Sequence, residues 1–235
     1  MVPLEEFFSL KRFAHRSLWK GDTSVWSPLA LLNEYLKTQK LGQIEVEIPP
    51  GAHLICPELI SIGEDTVVEP GAMIRGPCVL GRGCVVRHGA YVRGGVVCGD
   101  LCVLGHGCEV KHSILLDGVS VSHFCYVGDS ILGSRVNLGA GVKCANLRLD
   151  RENVAVFYEG KKWETGLKKM GVILGDGVQV GCNCVLNPGT MMGRECVCYP
   201  LLNFSGYAPP RSRIRGASVC TIEPLDPRSL LRQML

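Results

Sequence analysis

The sequence predicts an all-β fold, a single-stranded left-handed parallel β-helix (a hexapeptide-repeat solenoid), with a short helical segment at the N-terminus. Three observations support this prediction: aliphatic residues recur at every sixth position, the chain contains 29 Gly and 13 Cys, and only 6% of its residues are aromatic. A chain rich in small residues and poor in aromatic ones is suited to a stack of thin, similar layers, so internal repeats are the feature to examine first.

The repeat has a strict period of six residues. Its aliphatic positions, with one cysteine among them, are Ile62, Val68, Ile74, Leu80, Val86, Val92, Cys98, Leu104, Val110 and Leu116. Four positions later stand Thr66, Ala72, Cys78, Cys84, Ala90, Val96, Cys102 and Cys108. Neither a helix nor a simple strand has this period, whereas a triangular solenoid with three repeats per coil does. We expect the aliphatic residue to point inward, the small one to fill the corner, and Gly or Asn to take the positive-φ turn.

Three regions follow from this pattern. Residues 1–45 are predicted to be helical, residues 46–207 to form a β-helix of about seven coils, and residues 208–235 to form a tail with a short helix at 229–235. The N-terminal helix is indicated by Ser27-Pro28 followed by apolar residues at helical spacing. These apolar residues are Leu29, Leu32, Tyr35 and Leu36.

The period slips between residues 113 and 127 and resumes at Leu132. Leu138 and Leu174 are separated by a multiple of six, so we predict that the charged segment 146–169 leaves the β-helix as a loop between coils. A long loop on a regular scaffold is usually functional or disordered.

Composition excludes several classes of function. The formal net charge of +3 is too small to indicate nucleic-acid or membrane binding, and the first residues lack the continuous apolar run of a signal peptide. No apolar stretch approaches the ~20 residues that a membrane span needs. We therefore expect a cytoplasmic protein that binds neither nucleic acid nor membrane.

The cysteines suggest disulfides or zinc at first, but their register favours packing. Three stand at inward positions and six at corners: Cys56, Cys98 and Cys198, then Cys78, Cys84, Cys102, Cys108, Cys184 and Cys196. Free Cys commonly behaves as a small buried hydrophobe, and the two Cys-x-Cys pairs lack the usual zinc spacing. We predict buried thiols in a reducing compartment and no metal. His88 and His106, one coil apart, should stack on one face, and with His112 they are interpreted as solvated rather than as metal ligands.

Residues 120–146 hold the candidate chemistry. His123, Tyr126 and Asp129 fall where the six-residue pattern is interrupted, and such inconsistencies often mark functional sites. A histidine, with an ordinary pKa of about 6.5, is a natural general base for an amine nucleophile. Asn137 and Asn146 can position polar groups. The alternative is that His123 caps a turn and that the Asn residues occupy left-handed corners, and spacing alone leaves both interpretations open.

Three motifs in this stretch carry a family resemblance. They are His-Phe-Cys-Tyr-Val-Gly-Asp at 123–129, Val-Asn-Leu-Gly-Ala-Gly at 136–141 and Ala-Asn-Leu-Arg at 145–148. They resemble the acetyltransferase domain of the bifunctional glucosamine-1-phosphate acetyltransferase and N-acetylglucosamine-1-phosphate uridylyltransferase family, especially the archaeal-type sugar-1-phosphate nucleotidylyltransferases. The resemblance spans about residues 60–205.

The resemblance implies an acetyl-CoA-dependent N-acetyltransferase acting on an amino-sugar 1-phosphate, with glucosamine-1-phosphate as the leading candidate. By position, His123 matches the general base, and Asn146 matches the asparagine that orients this base and the substrate. Ala140 lies in the turn whose backbone approaches the thioester, where an amide N–H can stabilise an oxyanion.

The substrate ligands that the resemblance implies lie on both sides of His123. Arg93 and Lys111 occupy the places of the basic residues for the sugar phosphate, for which charge-assisted contacts are suited. Tyr126 and Asn137 match residues that contact the sugar. The family is trimeric, with active sites between neighbouring β-helices, so a homotrimer is implied.

Two departures from the family leave alternatives open. Glu152 and Ala155 stand where relatives have basic residues, and an acid repels a sugar phosphate. The nucleotidyltransferase half is not found in these residues, since segment 1–45 is too short for a nucleotide-binding domain. The chain is therefore either an acetyltransferase or a non-catalytic β-helix that trimerises or regulates a separately encoded nucleotidyltransferase. An amino-sugar nucleotide as the acceptor is a third possibility.

Overall fold

Three parallel sheets of eight strands each, here called sheets A, B and C, form the sides of a triangular solenoid. The computed structural model describes residues 2–19 and 24–216. The predicted left-handed β-helix is confirmed, with about nine turns rather than seven. The prediction was too low because a bridge from Ile44 to Ile62 begins a further turn and the last strand, Arg213–Ile214, lies beyond residue 207. The helix predicted at 229–235 lies outside the described residues.

The strands are short, and the chain visits the sheets in the order B, A, C. Sheet B contains His53–Ile55, Met73–Arg75, Tyr91–Val92, Glu109–Lys111, Tyr126–Gly128, Lys143–Cys144, Val185–Leu186 and Asn203–Phe204. Sheet A contains Ile60–Ile62, Cys78–Leu80, Val96–Cys98, Ser113–Leu115, Ile131–Leu132, Val172–Leu174, Thr190–Met192 and Tyr207–Ala208. Sheet C contains Val67–Val68, Val85–Val86, Val103–His106, Ser120–His123, Asn137–Leu138, Gln179–Val180, Val197–Cys198 and Arg213–Ile214.

The solenoid interior has the predicted repeat composition. The predicted corner residues from Thr66 to Cys108 are all buried, and the inward positions from Ile62 to Val110 are at most 5% exposed. Leu116 is an exception, because its coil is one residue short and Leu115 takes the inward place. Leu116 is instead buried in a second cluster outside sheet A.

The cysteines follow the packing interpretation with one correction. The described cysteines are free thiols, and eight of the nine assigned by register are buried. Burial raises the pKa of the Cys78 thiol to about 12, which keeps it protonated at neutral pH. Cys56 is exposed, contrary to prediction. The first coil is longer than eighteen residues, so Leu54 pairs with Ile74 and Cys56 falls at a left-handed turn with φ 58°.

The N-terminal segment and the predicted loop 146–169, here called the excursion, both cover the outer face of sheet A. The α-helix Ser27–Lys37 buries Pro28 and the predicted leucines, while single 3-10 turns form at Leu4–Glu6 and Arg16–Leu18. The excursion contains an antiparallel hairpin of Ala155–Tyr158 and Lys161–Glu164. Aromatic and aliphatic side chains of both elements pack against the outward residues of sheet A.

Glu6 joins the N-terminal segment to the hairpin and to the last strand of sheet A. Its carboxylate accepts hydrogen bonds from the hydroxyls of Tyr158 (2.8 Å) and Tyr207 (2.6 Å). Sheets B and C thus keep outward faces that these described segments do not cover. Within residues 2–19 and 24–216, no helix has the length and apolar character of a membrane span.

Candidate active site on sheet B and its corners

The corner between sheets B and A departs from the six-residue rule in two consecutive coils. Val110 and Leu115 are five residues apart, as are Val127 and Leu132, and each pair holds successive inward positions. The shortened corners place His112 (φ 44°) and Asp129 (φ 48°) in the left-handed region. In the next coil the excursion leaves from this same corner. The interruption of the six-residue period predicted at residues 113–127 therefore arises because the corner between sheets B and A has one residue fewer than usual. The same shortening occurs in the following coil.

Asp129 is the centre of a polar cluster at this corner. Although it is 94% buried, its Oδ2 accepts hydrogen bonds from Lys111 Nζ (2.7 Å) and Asn146 Nδ2, and His112 Nδ1 lies 3.0 Å from its Oδ1. Its backbone carbonyl accepts a hydrogen bond from Gly171 N (2.8 Å). Asp129 therefore links two coils to both ends of the excursion.

The surroundings of Asp129 favour its charged form. Burial on its own raises the pKa of Asp129, but the contacts with His112, Lys111 and Asn146 outweigh burial and lower the pKa to about 2. An unpaired buried carboxylate is costly, whereas one with several donors is held as an anion. The cluster is thus an ionised carboxylate at neutral pH with its hydrogen-bonding capacity largely used.

Gly128 makes room for two side chains beside this cluster. A Cβ at residue 128 would lie 2.6 Å from Tyr126 Oη and 2.7 Å from Asn146 Nδ2, both closer than real contacts allow. Tyr126 consequently folds over its own strand towards Asn146, and burial raises the pKa of the phenol. Glycine is needed here for space, not for a left-handed backbone.

Arg93, which with Lys111 is predicted to bind the sugar phosphate, also has an acidic partner. Arg93 NH1 donates a hydrogen bond to Glu109 Oε1 at 2.5 Å, and its guanidinium lies 5.9 Å from the centre of the Tyr91 ring. Both predicted cations are therefore ion-paired within the chain. Arg93 is nearly half exposed, so its other N–H groups face solvent, whereas Lys111 is mostly buried.

His123 lies on the same coil as Asp129, at the other end of the sheet B strand, where sheets C and B meet. It ends the sheet C strand Ser120–His123 and is exposed, and Phe124 then turns the corner with φ 52° before Tyr126 begins the sheet B strand. Only backbone atoms of His123 take part in the hydrogen bonds found among the described residues, including one from Gly141 N to its carbonyl (2.9 Å). Within the part of the chain that the structure describes, the imidazole lacks a carboxylate partner of the kind that Lys111 has.

The corner between sheets C and B also contains the predicted histidine stack. The rings of His88 and His106 are stacked at 5.6 Å, and the ring of Phe124 lies edge-on to His106 at 5.1 Å. The Nδ1 atoms of His88 and His106 each lie 2.8 Å from a backbone carbonyl oxygen of the preceding coil. Since a carbonyl only accepts, Nδ1 is the protonated nitrogen in the neutral rings.

The other predicted site residues are spread around these edges. Asn137 is exposed on sheet C, in a cavity of about 300 Å³ shared with Gln179 and Tyr199, and Ala140 is at the C-to-B corner one coil beyond His123. Neither Asn137 nor Asn146 has a positive φ, so the alternative that both fill left-handed corners is wrong.

The two positions that depart from the family lie in the excursion. Glu152 is exposed, and its backbone N–H donates a hydrogen bond to Asp150 Oδ1 (3.1 Å). Ala155 is buried in the first strand of the hairpin. A cation at position 155 would therefore lack solvent, whereas one at position 152 would not.

Three side chains at the site are not marked by the sequence motifs. Asp129 is only one residue of the interrupted stretch, and His112 is predicted to be solvated. Lys143 donates hydrogen bonds to the carbonyls of Phe124 (2.8 Å) and Gly141 (2.9 Å), beside His123. A lysine at an outward strand position looks like an ordinary surface residue, so no sequence pattern marks it.

The fold and these side chains define a hexapeptide-repeat β-helix with a polar cluster at the corner between sheets B and A. The sequence matches the family described as the GMPPB C-terminal domain over residues 74–197, which is more than half of the chain. The chain belongs to this family.

Curated relatives agree with the resemblance. The chain is 39% identical over 90 residues to a bifunctional sugar-1-phosphate nucleotidylyltransferase/acetyltransferase from Sulfurisphaera tokodaii, covering 38% of this chain and 22% of the relative. It is 40% identical over 86 residues to the bifunctional protein GlmU of Methanocaldococcus jannaschii, covering 37% and 21%. The resemblance is thus confirmed. The chain matches only about a fifth of the length of these relatives.

A solved structure supports the fold alone. The UDP-N-acetylglucosamine acyltransferase from Campylobacter jejuni superposes with a TM-score of 0.50 at 17% identity, covering 69% of each chain.

Proposed function

We propose that the chain transfers an acetyl group from acetyl-CoA to the amine of an amino-sugar 1-phosphate, with glucosamine-1-phosphate as the leading acceptor. The observation that carries this proposal is the arrangement along sheet B. Lys111 and Tyr126 lie on sheet B, and Arg93 directly follows the sheet B strand Tyr91–Val92. His123 lies at the corner between sheets C and B, and Asn146 at the corner between sheets B and A. The identity to relatives named as acetyltransferases supports the same reaction.

The steps follow from the residue types. His123 accepts the proton that the amine loses as its nitrogen attacks the thioester carbonyl, and the CoA thiolate leaves and is protonated. Its exposed imidazole is accessible to a substrate that approaches from solvent. The backbone N–H groups around Ala140 are candidates for stabilising the tetrahedral oxyanion. Arg93 and Lys111 contact the phosphate with the N–H groups that their acidic partners leave free.

The site is completed between copies of the chain in this proposal. Sheet A is covered by the N-terminal segment and the hairpin, so sheets B and C are the faces available for contact in a homotrimer. A cytoplasmic location is part of the same proposal and is supported by the buried free thiols. Sedimentation of the purified chain at the mass of three copies is expected, and a monomer at all concentrations contradicts this part.

The experiment is an acceptor screen. The purified chain is incubated with acetyl-CoA and either glucosamine-1-phosphate, glucosamine, or an amino-sugar nucleotide, and free CoA is measured. We expect acceptor-dependent CoA release that is fastest with the 1-phosphate. Release that is equal with and without every acceptor contradicts the proposed function, and release with the nucleotide alone moves the acceptor to that class.

One observation favours a second candidate, a non-catalytic β-helix that organises a separate nucleotidyltransferase. Both predicted phosphate cations are paired with carboxylates, at 2.5 Å for Arg93 and 2.7 Å for Lys111, and Glu152 adds an acid to the excursion. A scaffold needs no ligand for the acyl donor. It should show no rise in melting temperature with acetyl-CoA, whereas the acetyltransferase should show a rise that saturates with ligand concentration.

A further inference from the structure

We propose that Asp129 is a positioning residue of the acceptor site, which holds Lys111 and Asn146 in the geometry that binds the phosphorylated amino sugar. This inference rests on the proposed function and adds a residue to it. Asp129 itself is buried and touches no substrate, so its effect passes through its partners.

The arrangement around Asp129 is energetically costly. Asp129 places a charge in a nearly closed environment and a non-glycine residue in the left-handed region. Each is unfavourable on its own. This corner does not need a buried charge, because Gly95 turns it two coils before Asp129 with a φ of 64°. His112, one coil before Asp129, shares the left-handed backbone without a buried carboxylate. The buried charge of Asp129 is therefore more than the turn requires.

The hydrogen-bond partners of Asp129 point to the acceptor site. Two of the three side chains that contact the Asp129 carboxylate, Lys111 and Asn146, are residues that the family resemblance marks for substrate and catalysis. The two come from different coils, and among the described residues their side chains share a hydrogen-bond partner only in Asp129. The contact at 2.7 Å restrains a lysine side chain that otherwise samples many rotamers.

Lys111 and Asn146 both keep hydrogen-bonding capacity beyond their contacts with Asp129. The Lys111 ammonium has three donors, and one is used on Asp129, so two are free for a phosphate. The Asn146 amide uses its NH₂ group on Asp129, and its carbonyl oxygen is left as an acceptor. Asp129 thus fixes the direction of both groups without exhausting either one.

A matched control exists at the corner between sheets A and C. Asp176 is 8% exposed against 6% for Asp129, and its carboxylate accepts hydrogen bonds from Ser9 N (2.7 Å) and Ser134 N (2.8 Å). These partners are backbone amides, so Asp176 holds the fold together without orienting a side chain of the proposed site.

The experiment compares Asp129→Asn with Asp176→Asn. Asparagine tolerates a left-handed backbone and has nearly the same volume, so the corner is expected to fold. Steady-state CoA release is measured per folded protein, together with calorimetric binding of glucosamine-1-phosphate. We expect Asp129→Asn to raise the acceptor KM and Kd about tenfold or more, the equivalent of one charge-assisted hydrogen bond, with the acetyl-CoA KM within about twofold of wild type.

The outcomes separate the inference from the proposed function. Asp176→Asn is expected to lower the melting temperature with the kinetic constants unchanged. If Asp129→Asn behaves in the same way, the inference is overturned while the proposed function stands. If the wild-type chain neither releases CoA nor binds the acceptor, both fail. If Asp129→Asn fails to fold, Asp129→Glu is measured instead, and wild-type acceptor constants in that variant overturn the inference.

Discussion

Two corners of the same β-helix each bury an aspartate, and they use it differently. At the A-to-C corner, Asp176 caps backbone amides of the N-terminal segment and of the preceding coil, and the coil length there is regular. At the B-to-A corner, Asp129 binds the side chains of Lys111 and Asn146, and the coil is one residue short. The first arrangement stabilises the scaffold, whereas the second holds the Lys111 ammonium and the Asn146 amide in place.

The pKa values of the two carboxyl groups are also shifted in opposite directions. Burial raises the pKa of Asp176, since its backbone hydrogen bonds do not fully compensate for the loss of water. Burial acts on Asp129 as well, but its side-chain partners lower the pKa to about 2. Burial alone therefore does not mark a functional carboxylate, because the charge and origin of its partners decide the shift.

The largest expected effect on stability follows from removing the cation of the Lys111–Asp129 ion pair. Lys111→Ala leaves the Asp129 carboxylate buried without its ammonium partner and is expected to lower the free energy of unfolding by about 3 kcal/mol. The control is Arg194→Ala at the other corner, where Arg194 Nε lies 3.8 Å from Asp176 and a change below about 1 kcal/mol is expected. Urea titration measures both variants, and equal losses would remove the distinction between the corners.

Acid should affect the two aspartates oppositely. Because the folded pKa of Asp129 lies below the ~3.9 of an unfolded aspartate, its stabilisation is present above about pH 4 and is lost as pH falls towards 2. The destabilisation by Asp129→Asn should shrink by roughly 2 kcal/mol over that window.

The folded pKa of Asp176 is raised, so the wild type gains from protonating this group on acidification. The destabilisation by Asp176→Asn should therefore grow as pH falls. Urea titrations at neutral and acidic pH measure both differences, and parallel pH dependence in the two variants is the contradictory result.

A methyl group at the B-to-A corner should disturb the site more than one at the A-to-C corner. In Gly128→Ala the new Cβ meets Tyr126 Oη at 2.6 Å and Asn146 Nδ2 at 2.7 Å, and we expect a loss of about 2 kcal/mol with a raised acceptor KM.

The control for that change is Gly177→Ala. The new Cβ would lie 3.6 Å from its nearest neighbour, and only the φ of 75° opposes alanine, so a loss of about 1 kcal/mol with unchanged kinetics is expected. An unaltered acceptor KM in Gly128→Ala would show that Tyr126 and Asn146 do not contact the acceptor.

Much of the scaffold could be predicted from the sequence because each coil repeats the same packing problem. The period placed nearly every inward residue, and it failed at Leu116 and Cys56. Both lie where a coil gains or loses residues, and a periodic pattern cannot show at which corner the change occurs. The number of coils was underestimated for a related reason, since the outermost turns have irregular lengths.

The candidate site was less predictable. The motifs pointed to Lys111 and Asn146, but not to the carboxylate that joins them. Asp129 is distant in sequence from both partners, and its role depends on one residue missing from each of two corners. His123 could be selected by motif alone, whereas its exposure and lack of a carboxylate partner required the structure.

The central claim, acyl transfer with His123 as the base, is tested most directly by comparing His123→Ala with His88→Ala in the CoA-release assay. His88 is a matched exposed histidine on the same corner, two coils away. We predict that His123→Ala lowers kcat by about 100-fold or more, as expected for loss of a general base, and that His88→Ala leaves kcat unchanged. Equal rates for His123→Ala and the wild type would contradict the account.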